Sequence, residues 1–137
     1  MIFIKKIYTD TFVFCFGYAA YSLIELAWRR YTHFTMGIAG GVCFLALYKL
    51  FKRHKNMAIY KKCILGSLVI STVEFVFGII LNKLLRLDIW NYSDIPFNLL
   101  GQVCLLYSFL WALLCIPICP LTNKISKIEE KIQEGAA

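Results

Sequence analysis

The stretch Ile95–Asn123, IPFNLLGQVCLLYSFLWALLCIPICPLTN, runs for 29 residues without a charged side chain. A helix crosses the hydrocarbon core of a bilayer with about 20 residues. This stretch can therefore span once and still hold a loop end and an exit segment. Pro117 and Pro120 predict a kink or an end in its helix, because proline has no amide to donate to the preceding turn. Three shorter apolar stretches precede it: Thr11–Trp28 with one charge, Glu25; Phe34–Phe51 with Lys49 near its end, where a lysine snorkels to the interface; and Cys63–Leu81 with one charge, Glu74. The pattern predicts an all-α integral membrane protein with four transmembrane helices arranged as two tandem hairpins.

Composition points the same way. The 137 residues are 60% hydrophobic and 17% charged, with a mean hydropathy of +0.67. Soluble domains average about 25% charged residues, and so few polar side chains could not cover the surface of a soluble globule. The net charge of +7 invites a nucleic-acid reading. The charges, however, sit in short clusters between apolar runs, which makes the lipid bilayer the partner and leaves no nucleic acid.

Orientation follows from the basic residues. With four spans, the N-terminus, the middle loop and the C-terminal tail share one side and carry 11 of the 15 lysines and arginines; the other side carries Arg29, Arg30, Lys83 and Arg86. The positive-inside rule places both termini in the cytoplasm. Reading the first run as a cleaved signal peptide is disfavoured, because no small-residue cleavage site precedes Arg29 and Glu25 interrupts the run. The chain divides into a transmembrane domain, residues 1–123, and a cytoplasmic tail, residues 124–137. Leu121, Ile125, Ile128 and Ile132 recur at helical spacing, and Ser126 and Glu129 are spaced as a capping box. This predicts a short C-terminal amphipathic helix on the inner leaflet.

The two halves resemble each other. Gly17, Ser22 and Glu25 match Gly66, Ser71 and Glu74 at an offset of 49, and Tyr31-Thr32 with Gly40–Cys43 matches Tyr92-Ser93 with Gly101–Cys104 at an offset of 61. The expectation is a parallel internal repeat about the membrane normal. It places the two glutamates in equivalent positions, and neither should face lipid, where an ionised side chain costs about 2.5–3.5 kcal/mol on the insertion scales.

Polar residues gather toward the outer half: Glu25, Arg29, Arg30 and Tyr31 in the first hairpin, and Glu74, Trp90, Asn91, Tyr92, Asn98 and Gln102 in the second. Asn98 and Gln102 are i,i+4 on the expected opening turns of span four, hence on one face. One reading is an outward-facing polar pocket between the hairpins that binds a cation, a zwitterion or a proton. The other is a clasp, with Glu25 on Arg29 at i,i+4 and Glu74 on Arg30 or on Asn98 and Gln102. Trp28, Trp90, Tyr31 and Tyr92 sit where an outer aromatic belt would be. Gly37 and Gly41 form a small-xxx-small pair for close helix packing. The six cysteines lack the paired spacing of a zinc site and read as packing residues, and His33 and His54 fall in loops. The pattern implies neither a metal nor a cofactor. No glycine-rich nucleotide loop is present, so any ATP hydrolysis belongs to a separate ATPase subunit.

The block Trp90-Asn-Tyr-Ser-Asp-Ile-Pro-Phe-Asn-Leu-Leu-Gly-Gln102, with Tyr18–Glu25 and Arg30–His33 upstream, resembles the bacterial family labelled ABC-transporter permease, CmpB type, over roughly Phe16 to Leu114. Families of this kind usually carry an acidic residue after the tryptophan, where this chain has Asn91. The resemblance implies a small multi-span protein of the cytoplasmic (plasma) membrane. With too few spans for a usual permease half, it works as a homo-oligomer or in a larger membrane complex. The leading functional expectation is a transport component binding a small polar or cationic solute, with Glu25 and Glu74 supplying charge and Asn98 and Gln102 hydrogen bonds. The alternatives are a lipid-handling membrane enzyme, for which no nucleophile motif or metal set is present, and a structural or accessory subunit.

Overall fold

The computed structural model describes residues 2–135. Helix α1 covers Ile2–Arg29, α2 Phe34–Arg53, α3 Ile59–Gly78 and α4 Leu105–Gly135; a π-helical segment, Ile79–Leu84, continues α3. Two short strands, β1 (Asn98–Leu99) and β2 (Val103–Cys104), pair antiparallel ahead of α4. Among the described residues, four helices are long and apolar enough to cross a membrane. The architecture is all-α, as the apolar runs predict.

The chain forms two compact units, one of residues 1–57 and 117–137, the other of residues 58–116. The division falls inside α4, so that helix contributes to both.

In the first unit α1 and α2 form a hairpin. Arg30, at φ +57, closes α1 in the left-handed conformation, and its amide donates to Leu26 O at 2.9 Å, a common helix ending. His33 then caps α2, its side chain accepting from Thr35 N. His33 thus serves a local structural role. The hairpin packs backbone to backbone. A Cβ on Gly17 would lie 2.5 Å from Phe44 Cβ and 2.9 Å from Gly40 O. Lipid supplies no hydrophobic drive between helices, so such close contact through small residues is what holds them. Val13, Phe44 and Tyr48 form the buried centre, against which Ile118, Leu121 and Ile125 of α4 pack.

Two expectations for the last span need correction. Helix α4 starts at Leu105, ten residues after Ile95. It also runs on through Pro117 and Pro120, both exposed, so the prolines do not end it. Of the expected tail, residues 124–135 are helical and form the last turns of α4, while residues 136–137 lie outside the described residues. Their inward side is Thr122, Ser126 and Glu129, each at most 4% exposed, while Ile128 and Ile132 are about half exposed. Ser126 and Glu129 make no capping box, because they lie deep inside a continuous helix. Glu129 instead accepts from the Tyr48 hydroxyl and, at 2.7 Å, from Lys52 Nζ. Lys55 pairs with Glu130 at 2.6 Å, and Lys5 Nζ donates to Ile132 O at 3.1 Å.

In the second unit α3 and the first half of α4 are joined through hydroxyls. Ser67 Oγ donates to Ser108 O at 2.5 Å, and Ser71 Oγ lies 2.7 Å from Ser108 Oγ. Two residues past the π-helical segment Arg86 takes φ +55, and Leu87 N donates back to Leu81 O. The first matched block of the two halves, Gly17–Glu25 and Gly66–Glu74, is helical in both; of the second, Gly40–Cys43 lies within α2 whereas Gly101–Cys104 is turn and strand.

Candidate solute site

Glu25 is 7% exposed and stands in the last turns of α1. Tyr21, one turn earlier, donates its hydroxyl to Glu25 Oε1 at 2.8 Å. Arg29, one turn later, places Nε 3.6 Å from Oε2, an ion pair longer than a hydrogen bond. The i,i+4 pair is therefore present as the sequence predicts. Arg30 and Tyr31 are both exposed, Arg30 as the left-handed residue that ends the helix.

Glu74 sits in α3 in a different setting. Tyr92 donates its hydroxyl to Glu74 Oε2 at 3.1 Å, and the Trp111 indole donates to Oε1 at 3.5 Å. Tyr92 stacks on Tyr107 with centroids 4.8 Å apart, and Tyr107 leans on Trp111 at 6.3 Å. A carboxylate is thus set among three aromatic rings.

Asn98 and Gln102 do not share a helical face, and this is the main correction to the expected site. They belong to the turn and strands before α4. The backbone there is non-helical: Phe97 and Leu100 hold φ of +59 and +54, and Gly101 +73. The amide of Asn98 shapes this turn, its Nδ2 donating to Ile95 O at 2.8 Å and its Oδ1 accepting from Gly101 N at 3.0 Å. Asparagine commonly takes over backbone hydrogen bonds in this way. Gln102, 2% exposed, lies on Gly78, where a Cβ would be 2.5 Å from its Oε1. That oxygen accepts from Asn82 Nδ2 at 2.8 Å, and Nε2 donates to Leu100 O at 2.9 Å. Asn82 Oδ1 in turn takes Ile89 N at 2.7 Å.

The remaining members of the motif are equally engaged. The Trp90 indole donates to Gln102 O at 3.0 Å, and Trp90 is 8% exposed, so it lies inside the loop and not in an aromatic belt. Asn91 Oδ1 accepts from Ser93 N at 2.9 Å. Tyr92 is also drawn inward, whereas Trp28 and Tyr31 are 69% and 51% exposed, as belt residues should be. The structure therefore gathers Glu74 and Tyr92 with Trp111 and Tyr107 in one unit and Glu25 with Tyr21 and Arg29 in the other. Trp90, Asn91, Asn98 and Gln102 make their hydrogen bonds within the loop and to Asn82.

Sequence reading missed Trp111, Tyr107 and the Tyr48–Lys52–Glu129 cluster. Tyr107 and Trp111 are i,i+4, a spacing that alone hints at a shared face. Cys119, Thr122, Ser126 and Glu129 recur at spacings of three and four, the mark of a buried helical seam. Among the described residues, no group of three or more His, Cys, Asp or Glu side chains is placed to hold a metal ion.

Four helices of spanning length, with apolar exteriors and polar contacts turned inward, define a multi-pass α-helical membrane protein. The family described as "Putative ABC-transporter type IV" matches residues 36–136, most of the chain, and the protein belongs to that family. No curated protein and no solved structure matches the chain.

Proposed function

We propose that this membrane transport component binds a small cationic solute through Glu74, in an ammonium-recognising site with Tyr92, Tyr107 and Trp111. The observation that carries the reading is the carboxylate set among three aromatic rings within one unit. Carboxylate and aromatic faces together are the chemistry that attracts an ammonium group when water is excluded. The serine-and-glutamate block that places Glu25 and Glu74 in equivalent helical positions supports a duplicated origin for the two acids. Glu25, beside Arg29 and Tyr21, holds the end of its own hairpin. We place the site on the outer side of the plasma membrane with both termini in the cytoplasm. Any ATP hydrolysis falls to a separate subunit of a larger complex.

Thermal unfolding of the purified protein in detergent tests the assignment, with choline, ethanolamine and glycine betaine as probes. A ligand that binds only the folded state adds about 2.7 kcal/mol at a hundred times its Kd. At least one probe should raise the melting temperature of the wild type. Glu74→Gln should abolish that rise while leaving the unliganded melting temperature within a few degrees. A wild type that no probe shifts, with a Glu74→Gln variant that melts much earlier, would make Glu74 a structural acid. It would then favour the accessory-subunit reading.

A further inference from the structure

We infer that residues 95–104 form a re-entrant hairpin lying within the bilayer, with Phe97, Leu99 and Leu100 against lipid acyl chains. The inference rests on where the segment is tied and does not depend on the solute reading. The hydroxyl of Tyr92 meets Glu74, ten residues before the π-helical segment ends at Leu84. At a helical rise of about 1.5 Å per residue that is up to about 15 Å back along the span. Gln102 lies on Gly78, six residues before the same end. At the other side Leu105 N, the first residue of α4, donates to Phe97 O at 3.2 Å. The segment therefore folds back beside the spans it connects instead of standing beyond them.

Its polarity is turned inside out relative to an aqueous loop. The backbone closes on itself, with Tyr92 N on Gly101 O, Ile95 N on Tyr92 O and Gln102 N on Leu99 O, while Asn98, Trp90 and Gln102 bond inward. Irregular backbone at membrane depth requires this internal satisfaction, because lipid offers no hydrogen bonds. From Ile95 to Cys104 the exposed side chains are all apolar, whereas Asn91, Ser93 and Asp94, also exposed, stand ahead of the segment. Phe97 is 82% exposed, Leu100 60% and Leu99 56%. Phe97 and Leu100 are displayed from left-handed backbone that such residues rarely adopt. From Ile95 onward the segment carries no charge; Lys83, Arg86, Asp88 and Asp94 all precede it. The apolar surface is continuous in sequence with Leu105 and Leu106, each more than half exposed at the start of α4. Continuity with lipid-facing helix surface makes the bilayer the occupant.

Photo-crosslinking tests this. p-Benzoylphenylalanine is introduced in place of Phe97 or Leu99, both exposed, and in place of Asp88 as a water-side control. The purified full chain is reconstituted in vesicles of a single synthetic phosphatidylcholine and irradiated. Mass spectrometry should find a phospholipid adduct on the acyl chains at positions 97 and 99 and none at 88. Adducts confined to the headgroup, no adduct at 97 and 99, or a crosslink to a second polypeptide would each overturn the proposal. Two positions are probed, so that failure of one variant to fold leaves the other as a test.

Discussion

Gln102 shows how much one buried amide can organise. Its oxygen and nitrogen are both occupied, its backbone carbonyl takes the Trp90 indole, and its side chain fills the space left by Gly78. Leaving a buried donor without an acceptor costs about 1–3 kcal/mol. Gln102→Ala removes the acceptor for Asn82, and Gln102→Glu keeps the size but turns an oxygen toward Leu100 O. Both variants should lower the melting temperature by several degrees, with Gln102→Glu affected at least as strongly. Intrinsic fluorescence should report the change, since Trp90 lies in the same cluster. An unchanged melting temperature in both would remove Gln102 from its role as the pin of the loop.

Among the elements, the α1–α2 hairpin and the end of α4 make separate demands. The hairpin depends on absent side chains. In Gly17→Ala the new methyl meets Phe44 Cβ and the Gly40 carbonyl, so the helices must separate. Overpacking of this kind costs about 1–3 kcal/mol. The variant should unfold earlier in a detergent series, and an unaffected variant would mean that close approach at Gly17 is not what holds the hairpin. The end of α4 depends instead on polar contacts. Glu129 is 4% exposed and takes Tyr48 and Lys52, while Lys52 remains about one-third exposed. Its loss should therefore cost less than the roughly 3–5 kcal/mol of a fully buried pair. Glu129→Ala should release the last turns, seen as trypsin cleavage at Lys124, Lys127 or Lys131 at protease levels that leave the wild type intact. Equal resistance in both would show that Leu121 and Ile125 hold the helix by themselves.

For the whole molecule, the distribution of basic residues governs how the chain enters the membrane. Cysteines placed at Asn56 and at Asp88, both exposed, report the two sides. In intact cells a membrane-impermeant maleimide should label Asp88→Cys, and it should reach Asn56→Cys only after the membrane is opened, with wild-type labelling as the background. The reverse pattern would invert the orientation. It would leave the helices, the Glu74 cluster and the re-entrant hairpin unchanged, because these rest on contacts within the protein.

The four spans were legible in the sequence because apolar length is a local property that reports the solvent of each stretch. The Glu25–Arg29 pair was legible for a related reason, since an i,i+4 contact needs only one helix. The positions of Asn98 and Gln102 were not. Apolar pattern put Asn98 and Gln102 on the opening turns of a helix, yet the ten residues from Ile95 fold as a turn and two strands, because their polar groups find partners on Asn82, on Trp90 and within the turn itself. Likewise Glu129 meets Tyr48 at a separation of 81 residues, and Glu74 meets Trp111 at 37. In a medium that offers no hydrogen bonds, every buried polar group takes whichever partner the fold brings to it. Hydrophobic periodicity records where water is absent but carries no trace of which distant donor will answer a given acceptor, so only the tertiary structure decided those pairings.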